Sequence, residues 1–312
     1  MNKKLIVSSS IGVFVSVAAF YFAFRNVPMA DLLRYMSTIE LVWVAPSVAL
    51  CIIAFYFRVH RWRLILGEKY HLPFWEAYHP MMIAFMVNCI LPGRVGEIAR
   101  PAILKKRDNV PFSTGLATVA VERLFDLIFL LLFFAVTLTM VEIDDSLSIP
   151  FGDYVLNKET LETVSGGMLR LLVVLLAGAA SLTFSPSRNI IKNMVSGMPG
   201  LLFFLSQETR EKLGQKICTP VNSLLDNFSL GFSQIREPKR LVGCLFLSAA
   251  VWIVSALSSY VLTFGSPGID MTFQEVFAMM IIICFVIALP SVPGFWGIWE
   301  AGGLFALTIF GI

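Results

Sequence analysis

Five long apolar segments constrain this chain more than anything else in it. Leu5–Phe24, Leu41–Phe57, Leu124–Val141, Met168–Phe184 and Leu241–Phe264 each approach the roughly 17–25 apolar residues that a helix needs to cross the hydrocarbon core of a bilayer. A water-soluble fold has no interior large enough for them. Composition agrees: 57% of the 312 residues are hydrophobic and 14% charged, against about 45–50% and about 25% in a soluble domain. No stretches of alternating apolar and polar residues appear, which argues against a membrane β-barrel. The expected fold is an all-α polytopic membrane protein, a helical bundle forming a single membrane domain over residues 1–312.

Charge sets the expected orientation. Lys3 and Lys4 precede the first segment, and Arg58, Arg61, Arg63 and Lys69 follow the second. Lys105, Lys106 and Arg107 come next, and Arg188, Lys192, Arg210, Lys212, Lys216, Arg236, Lys239 and Arg240 mark the polar stretch after Phe184. Positive loops stay inside, so these regions and the N-terminus are expected in the cytoplasm. Residues 142–162, rich in Glu and Asp, are expected outside. Lys3 and Lys4 could head a signal peptide, but the apolar run after them is longer than a usual h-region and reads as an uncleaved span. A net charge of +3 is too small to suggest nucleic acid. The five cysteines form no CxxC pair and no ligand spacing with His60, His71 or His79. No metal or cofactor is expected.

Two places resist reading as simple spans, and both carry the same punctuation. The first is Leu91-Pro92-Gly93-Arg94-Val95-Gly96-Glu97, and the second is Leu289-Pro290-Ser291-Val292-Pro293-Gly294-Phe295-Trp296-Gly297 with Glu300 behind it. Proline and glycine free backbone groups that hydrocarbon cannot satisfy, so such breaks persist where they line protein or a water-filled cavity. Basic flanks on both sides of residues 74–107 predict a re-entrant hairpin, and a second is expected at 273–312, entering from the opposite face. Pro92, Gly93, Gly96, Pro293, Gly294 and Gly297 would be the hinges. Broken helices in matching positions of two halves, about 1–141 and 166–312, are the pattern of an inverted-repeat transporter. Ordinary Pro-Gly turns in loops are the plainer alternative.

Glu122, Arg123 and Asp126 lie some ten to fourteen residues into a helix starting near Phe112, about 15–20 Å along it. Charges at such depth must pair or face water. Arg123 can offset Asp126 at i,i+3, and Arg94, Glu97 and Arg100 are the natural outside partners. A purely structural ion-pair network is the alternative role. Within residues 185–240, Leu213, Ile217, Val221, Leu224, Leu225 and Phe228 recur at helical spacing, predicting an amphipathic segment along the cytoplasmic interface.

The ordered triple motif Leu91-Pro-Gly-Arg-Val-Gly-Glu-Ile-Ala-Arg100, Val121-Glu-Arg-Leu-Phe-Asp126 and Pro293-Gly294 with Gly297 and Glu300 resembles the membrane domain of lysylphosphatidylglycerol synthases, the flippase-like family. The resemblance implies a multi-pass protein of the cell inner membrane that moves a polar-headgroup lipid, anionic or polyprenyl-phosphate-linked, between leaflets. These 312 residues hold no soluble aminoacyl-transferase domain, so synthase activity is not carried over. The sequence is also expected to fall one helix short of the family pattern after Ile312. Arg94, Glu97, Arg100, Glu122, Arg123, Asp126 and Glu300 are the expected transport residues, with membrane lipids as partners. A transferase using Glu97 or Glu122 as general base stays open, although no nucleophile constellation or phosphate loop supports it. A third reading is an accessory subunit of a lipid-modifying enzyme or glycosyltransferase.

Overall fold

The computed structural model describes residues 21, 28–91, 94–140, 149–151, 154–156, 158–183, 185–201, 207, 214–219, 222–223, 225–226, 237–288, 295 and 297–309. The first apolar segment, Leu5–Phe24, therefore falls almost wholly outside the described residues. So do the hinge candidates Pro92, Gly93, Pro293 and Gly294, and Leu213, Val221, Leu224 and Phe228 of the expected amphipathic segment.

The described residues form a helical bundle: α1 (Met29–Thr38), α2 (Val44–Leu66), α3 (Phe74–Ile90), α4 (Gly96–Asp108), α5 (Phe112–Met140), α6 (Lys158–Thr183), α7 (Ser185–Leu201), α8 (Pro238–Thr263), α9 (Phe273–Ala288) and α10 (Ile298–Ile309). The departure from an all-helical expectation is a small antiparallel hairpin, β1 (Ile149–Phe151) paired with β2 (Tyr154–Leu156), in the acidic stretch between α5 and α6.

The helices Leu41–Leu66 and Pro238–Thr263 are each long and apolar enough to cross a bilayer. At 29 residues α5 is about 43 Å long, but its apolar run is interrupted by Glu122, Arg123 and Asp126 in its first half. The outer faces of α2, α6 and α8 carry Ile52, Ile53, Val173, Val174, Val242 and Phe246, all exposed. A soluble monomer rarely exposes such a continuous apolar surface, and lipid is its natural solvent.

The central pair is α2 against α8. They run antiparallel: Ser47 near the start of α2 meets Ser258 near the end of α8, its Oγ donating to the Ser258 carbonyl at 3.0 Å, and the two hydroxyls lie 3.0 Å apart. Just beyond those ends, the Glu40 N–H donates to the Gly265 carbonyl at 2.9 Å. Serine and glycine here let two backbones approach closely and hydrogen-bond where lipid offers no partner. Gly265 illustrates the fit, since a Cβ there would lie 2.8 Å from the Glu40 oxygen.

On the other side of α2, Val59, Trp62 and Leu66 pack with Met81 of α3, Leu104 of α4 and Val110. Ile65 packs with Val121 and Phe125 of α5 and Cys244 of α8. Leu130 and Phe134 of α5 close on Ile281 of α9. Helices α2, α4, α5 and α8 thus converge on one region, together with the broken pairs α3–α4 and α9–α10, whose members pack against each other.

Candidate functional site

The convergence region holds a cluster of charges. Glu122 of α5 is its hub: Arg100 of α4 donates to its Oε2 at 2.5 Å, and Arg123 donates to its Oε1 at 2.8 Å. Arg61 of α2 stands 3.4 Å from the same Oε1. Arg61 also donates to Asp126 Oδ1 at 2.6 Å and to Ser248 Oγ of α8 at 3.0 Å. Arg123 reaches Asp126 Oδ2 at 3.0 Å and Glu97 of α4 at 3.7 Å. Arg94 lies 4.0 Å from Glu97 and donates to the Ile287 carbonyl of α9 at 3.2 Å.

Burial divides the cluster. The side chains of Arg61, Glu122 and Arg100 are 0%, 2% and 6% exposed, whereas Arg94, Glu97 and Arg123 are 36%, 28% and 37% exposed. Three helices are pinned through the buried core, and the other three groups remain partly exposed. Arg100 also stacks on Trp62, its Cζ 4.3 Å from the ring centroid. The Trp62 indole N–H donates to Thr118 at 3.1 Å, and Thr118 to the Gly115 carbonyl. Every one of these anchors sits on a helix, which makes the core of the cluster rigid.

Much of this arrangement follows from residue spacing along the chain. Glu122, Arg123, Asp126, Arg100, Glu97 and Arg94 meet within one connected network. Arg58 and Arg61, however, had been expected in a cytoplasmic loop after a span ending at Phe57. That expectation is corrected: α2 continues unbroken to Leu66, Arg61 is fully buried, and Arg58 stands one turn before it. Arg58 lies within electrostatic reach of Asp126, Glu122, Arg61 and Arg123. Among the described residues it has no hydrogen-bond or ion-pair partner. The signal was available in the apolar positions Val59, Trp62, Ile65 and Leu66, which carry the helical pattern past the arginines. Measured along α2, Arg61 is about 7–8 Å from the helix end, so the cluster sits toward the arginine-rich end of the bundle and not at its middle.

The two Pro-Gly motifs share backbone geometry as well as sequence. Arg94 (φ 56°) precedes α4, and Phe295 (φ 61°) and Gly297 (φ 81°) precede α10, so both breaks use the left-handed region just before a helix starts. Such conformations in non-glycine residues persist only where surroundings enforce them. In the first motif Asn88 Oδ1 accepts the Gly96 N–H at 2.7 Å, satisfying a donor that the break exposes. In the second, Glu300 Oε2 accepts the Gly297 N–H at 2.7 Å, the reach-back half of a capping box. Glu300 therefore caps α10, and among the described residues it joins no ion pair with the cluster.

A family model described as the lysylphosphatidylglycerol synthase TM region matches residues 9–312 of this chain. Over 118 residues, 38% of this chain and 19% of the relative, it is 26% identical to a protein named glycosyltransferase AglD from Haloferax volcanii. Over 42 residues, 14% of this chain and 18% of the relative, it is 40% identical to UPF0104 membrane protein MJ1078 from Methanocaldococcus jannaschii. The matched region thus spans about a fifth of the length of each of these relatives. No solved structure matches.

Proposed function

This chain belongs to the lysylphosphatidylglycerol synthase TM-region family, and from that premise we propose that it moves a lipid with an anionic headgroup between leaflets of the membrane. One observation carries the reading. Five guanidinium groups, Arg58, Arg61, Arg94, Arg100 and Arg123, gather around three carboxylates, Glu97, Glu122 and Asp126, leaving two positive charges in excess. Inside a membrane bundle, an excess charge costs several kcal/mol unless it meets a counter-charge or water. The Nε of Arg123 has no hydrogen-bond acceptor, and Arg58 has no partner at all among the described residues. A phosphate oxygen is the acceptor that suits a guanidinium geometry of this kind.

The accessible groups Arg58, Arg94 and Arg123 would take the phosphate, while Arg61, Arg100 and Glu122 hold the helices around it. Glu97 and Asp126 would balance the cationic groups once the headgroup leaves, or take up the coupling proton. In this reading the α3–α4 and α9–α10 breaks are re-entrant hairpins of an inverted repeat, entering from opposite faces of the inner membrane. The arginine-rich end and the N-terminus then lie in the cytoplasm. Glu300 would act through α10, by fixing the start of the second half-helix.

The test is translocation in proteoliposomes, following a fluorescent phosphatidylglycerol analogue that a membrane-impermeant reductant bleaches only in the outer leaflet. Wild-type protein is expected to carry the analogue to the bleachable leaflet. Arg58→Gln is expected to slow that by about tenfold or more, the loss of one charge-assisted contact, with the melting temperature unchanged because Arg58 holds no other residue. Equal rates for wild type, variant and protein-free vesicles would reject translocation.

The likeness to a protein named a glycosyltransferase supports a second reading, a membrane module serving an enzyme that acts on lipid-linked sugars. Co-purification of such an enzyme, with no translocation by the chain alone, would favour it.

A further inference from the structure

Away from the charge cluster, at the same end of the bundle, a cavity of about 280 Å³ opens between the last turns of α2 and the first turns of α8. Its lining includes His60, Arg63, His71, Arg240, Leu64 and Leu247. Glu68 is the one acidic residue of the lining, and it is committed to Arg240 in an ion pair.

The nitrogen-bearing groups of the lining are held in place by other contacts. Arg63 Nε donates to the Leu72 carbonyl at 2.8 Å, which leaves its two terminal nitrogens for another acceptor. Arg240 Nε donates to Glu237 at 2.9 Å, so the Arg240 fork is fixed between two carboxylates. His60 packs against the rings of Tyr56 and Phe74, at centroid distances of 4.3 and 5.4 Å. Arg63 is therefore the lining guanidinium with donors to spare, beside two imidazoles and an Arg240 already paired with Glu68 and Glu237. The free Arg63 fork has the geometry that takes a phosphate oxygen pair.

Two features favour a lipid over a soluble phosphate. Leu64, Leu72 and Leu247 form an apolar wall, and the neighbouring Leu245 and Phe246 are exposed on the bilayer-facing side of α8. The cavity also lies at the ends of the two helices best suited to span the membrane, the level at which headgroups sit. We infer that this cavity holds the phosphodiester headgroup of an anionic phospholipid from the leaflet on the arginine-rich side, at a site separate from the central cluster.

A photoactivatable phosphatidylglycerol, cross-linked to the detergent-purified full chain and located by peptide mapping, tests this. Label is expected on the segments 60–72 and 238–247. Arg63→Gln with Arg240→Gln is expected to lower that label by about tenfold or more, from the loss of two charge-assisted contacts. Leu247→Trp leaves every charged group in place and fills the cavity, so it should lower the label equally even where the double variant is poorly folded. Arg58→Gln with Arg123→Gln should leave it unchanged, which separates this site from the translocation pathway. Label that survives Leu247→Trp, or that falls with the central-cluster variant, overturns the inference. Displacement by inorganic phosphate at millimolar concentration overturns the lipid assignment in favour of a soluble phosphate ligand.

Discussion

Replacing Glu122 by alanine is expected to destabilise the folded protein by about 3–5 kcal/mol, the usual cost of removing one partner from a buried ion pair. Glu122 is 2% exposed and sits within 3.4 Å of three guanidiniums from α2, α4 and α5. Without it, Arg100 and Arg61 remain buried and lose their shared counter-charge. Asp126 alone cannot serve both, because it is engaged with Arg61 and Arg123. A fall in melting temperature on the order of 10 °C follows, readable by size-exclusion chromatography of detergent-solubilised protein after heating. Combining Glu122→Ala with Arg100→Met removes a charge of each sign and should recover part of the loss. An unchanged melting temperature would mean that the three helices are held by apolar packing alone, and that the cluster is free to serve transport throughout.

Set beside Arg58→Gln, that experiment divides the cluster by role. Glu122 accepts from Arg100 and Arg123 and faces Arg61, and its removal is read as lost stability. Arg58 satisfies no described neighbour and its removal is read as lost transport. A charge network maintained only for structure has no reason to contain an unpartnered guanidinium, since an unpaired charge within a membrane bundle has a cost and returns nothing. A network built only for transport has no reason to bury Arg61 and Arg100. The two outcomes together would assign the two roles to different members of one cluster.

How much of this could be read from sequence depends on the kind of signal. The membrane class follows from the long apolar runs, because hydrocarbon leaves a chain few choices. The α5 charges declare themselves for the same reason: Glu122, Arg123 and Asp126 within a helix of Leu, Phe and Val need partners, and the partners Arg100 and Glu97 were the nearest in the chain. Arg61 was missed because a cluster of Arg at the end of an apolar run looks like a cytoplasmic anchor. The apolar period beyond Phe57 argues the other way, and burial is decided by what α5 and α8 bring to that face. The cavity beside Arg63 and Arg240 could not be read at all, since its two arginines are separated by most of the chain. The hairpin β1–β2 was equally silent, being two three-residue strands in an acidic stretch with no alternating pattern long enough to notice.

Gly96→Ala is the second change with a large expected effect, and its cause is steric. A Cβ at Gly96 would lie 1.9 Å from the Ala84 carbonyl oxygen and 2.6 Å from Asn88 Oδ1. The first of these is backbone in the middle of α3 and cannot rotate away, so α4 must move by more than an ångström. That movement breaks the 2.7 Å bond from the Gly96 N–H to Asn88 and drags Glu97 and Arg100 from their partners on α5. Overpacking of this kind costs about 1–3 kcal/mol, and the displaced Arg100 adds a share of the penalty expected for Glu122→Ala. Translocation should be abolished even where folded protein survives, because the half-helix that bears Glu97 no longer meets Arg123. Gly303→Ala is the matched control on α10. Its new Cβ would stand 3.9 Å from Ile283 Cδ1, an ordinary contact, and stability and translocation should both stay at wild-type levels. If Gly96→Ala proves as silent as Gly303→Ala, then α4 is not held against α3 at this close approach, and the break between them does not position the charge cluster.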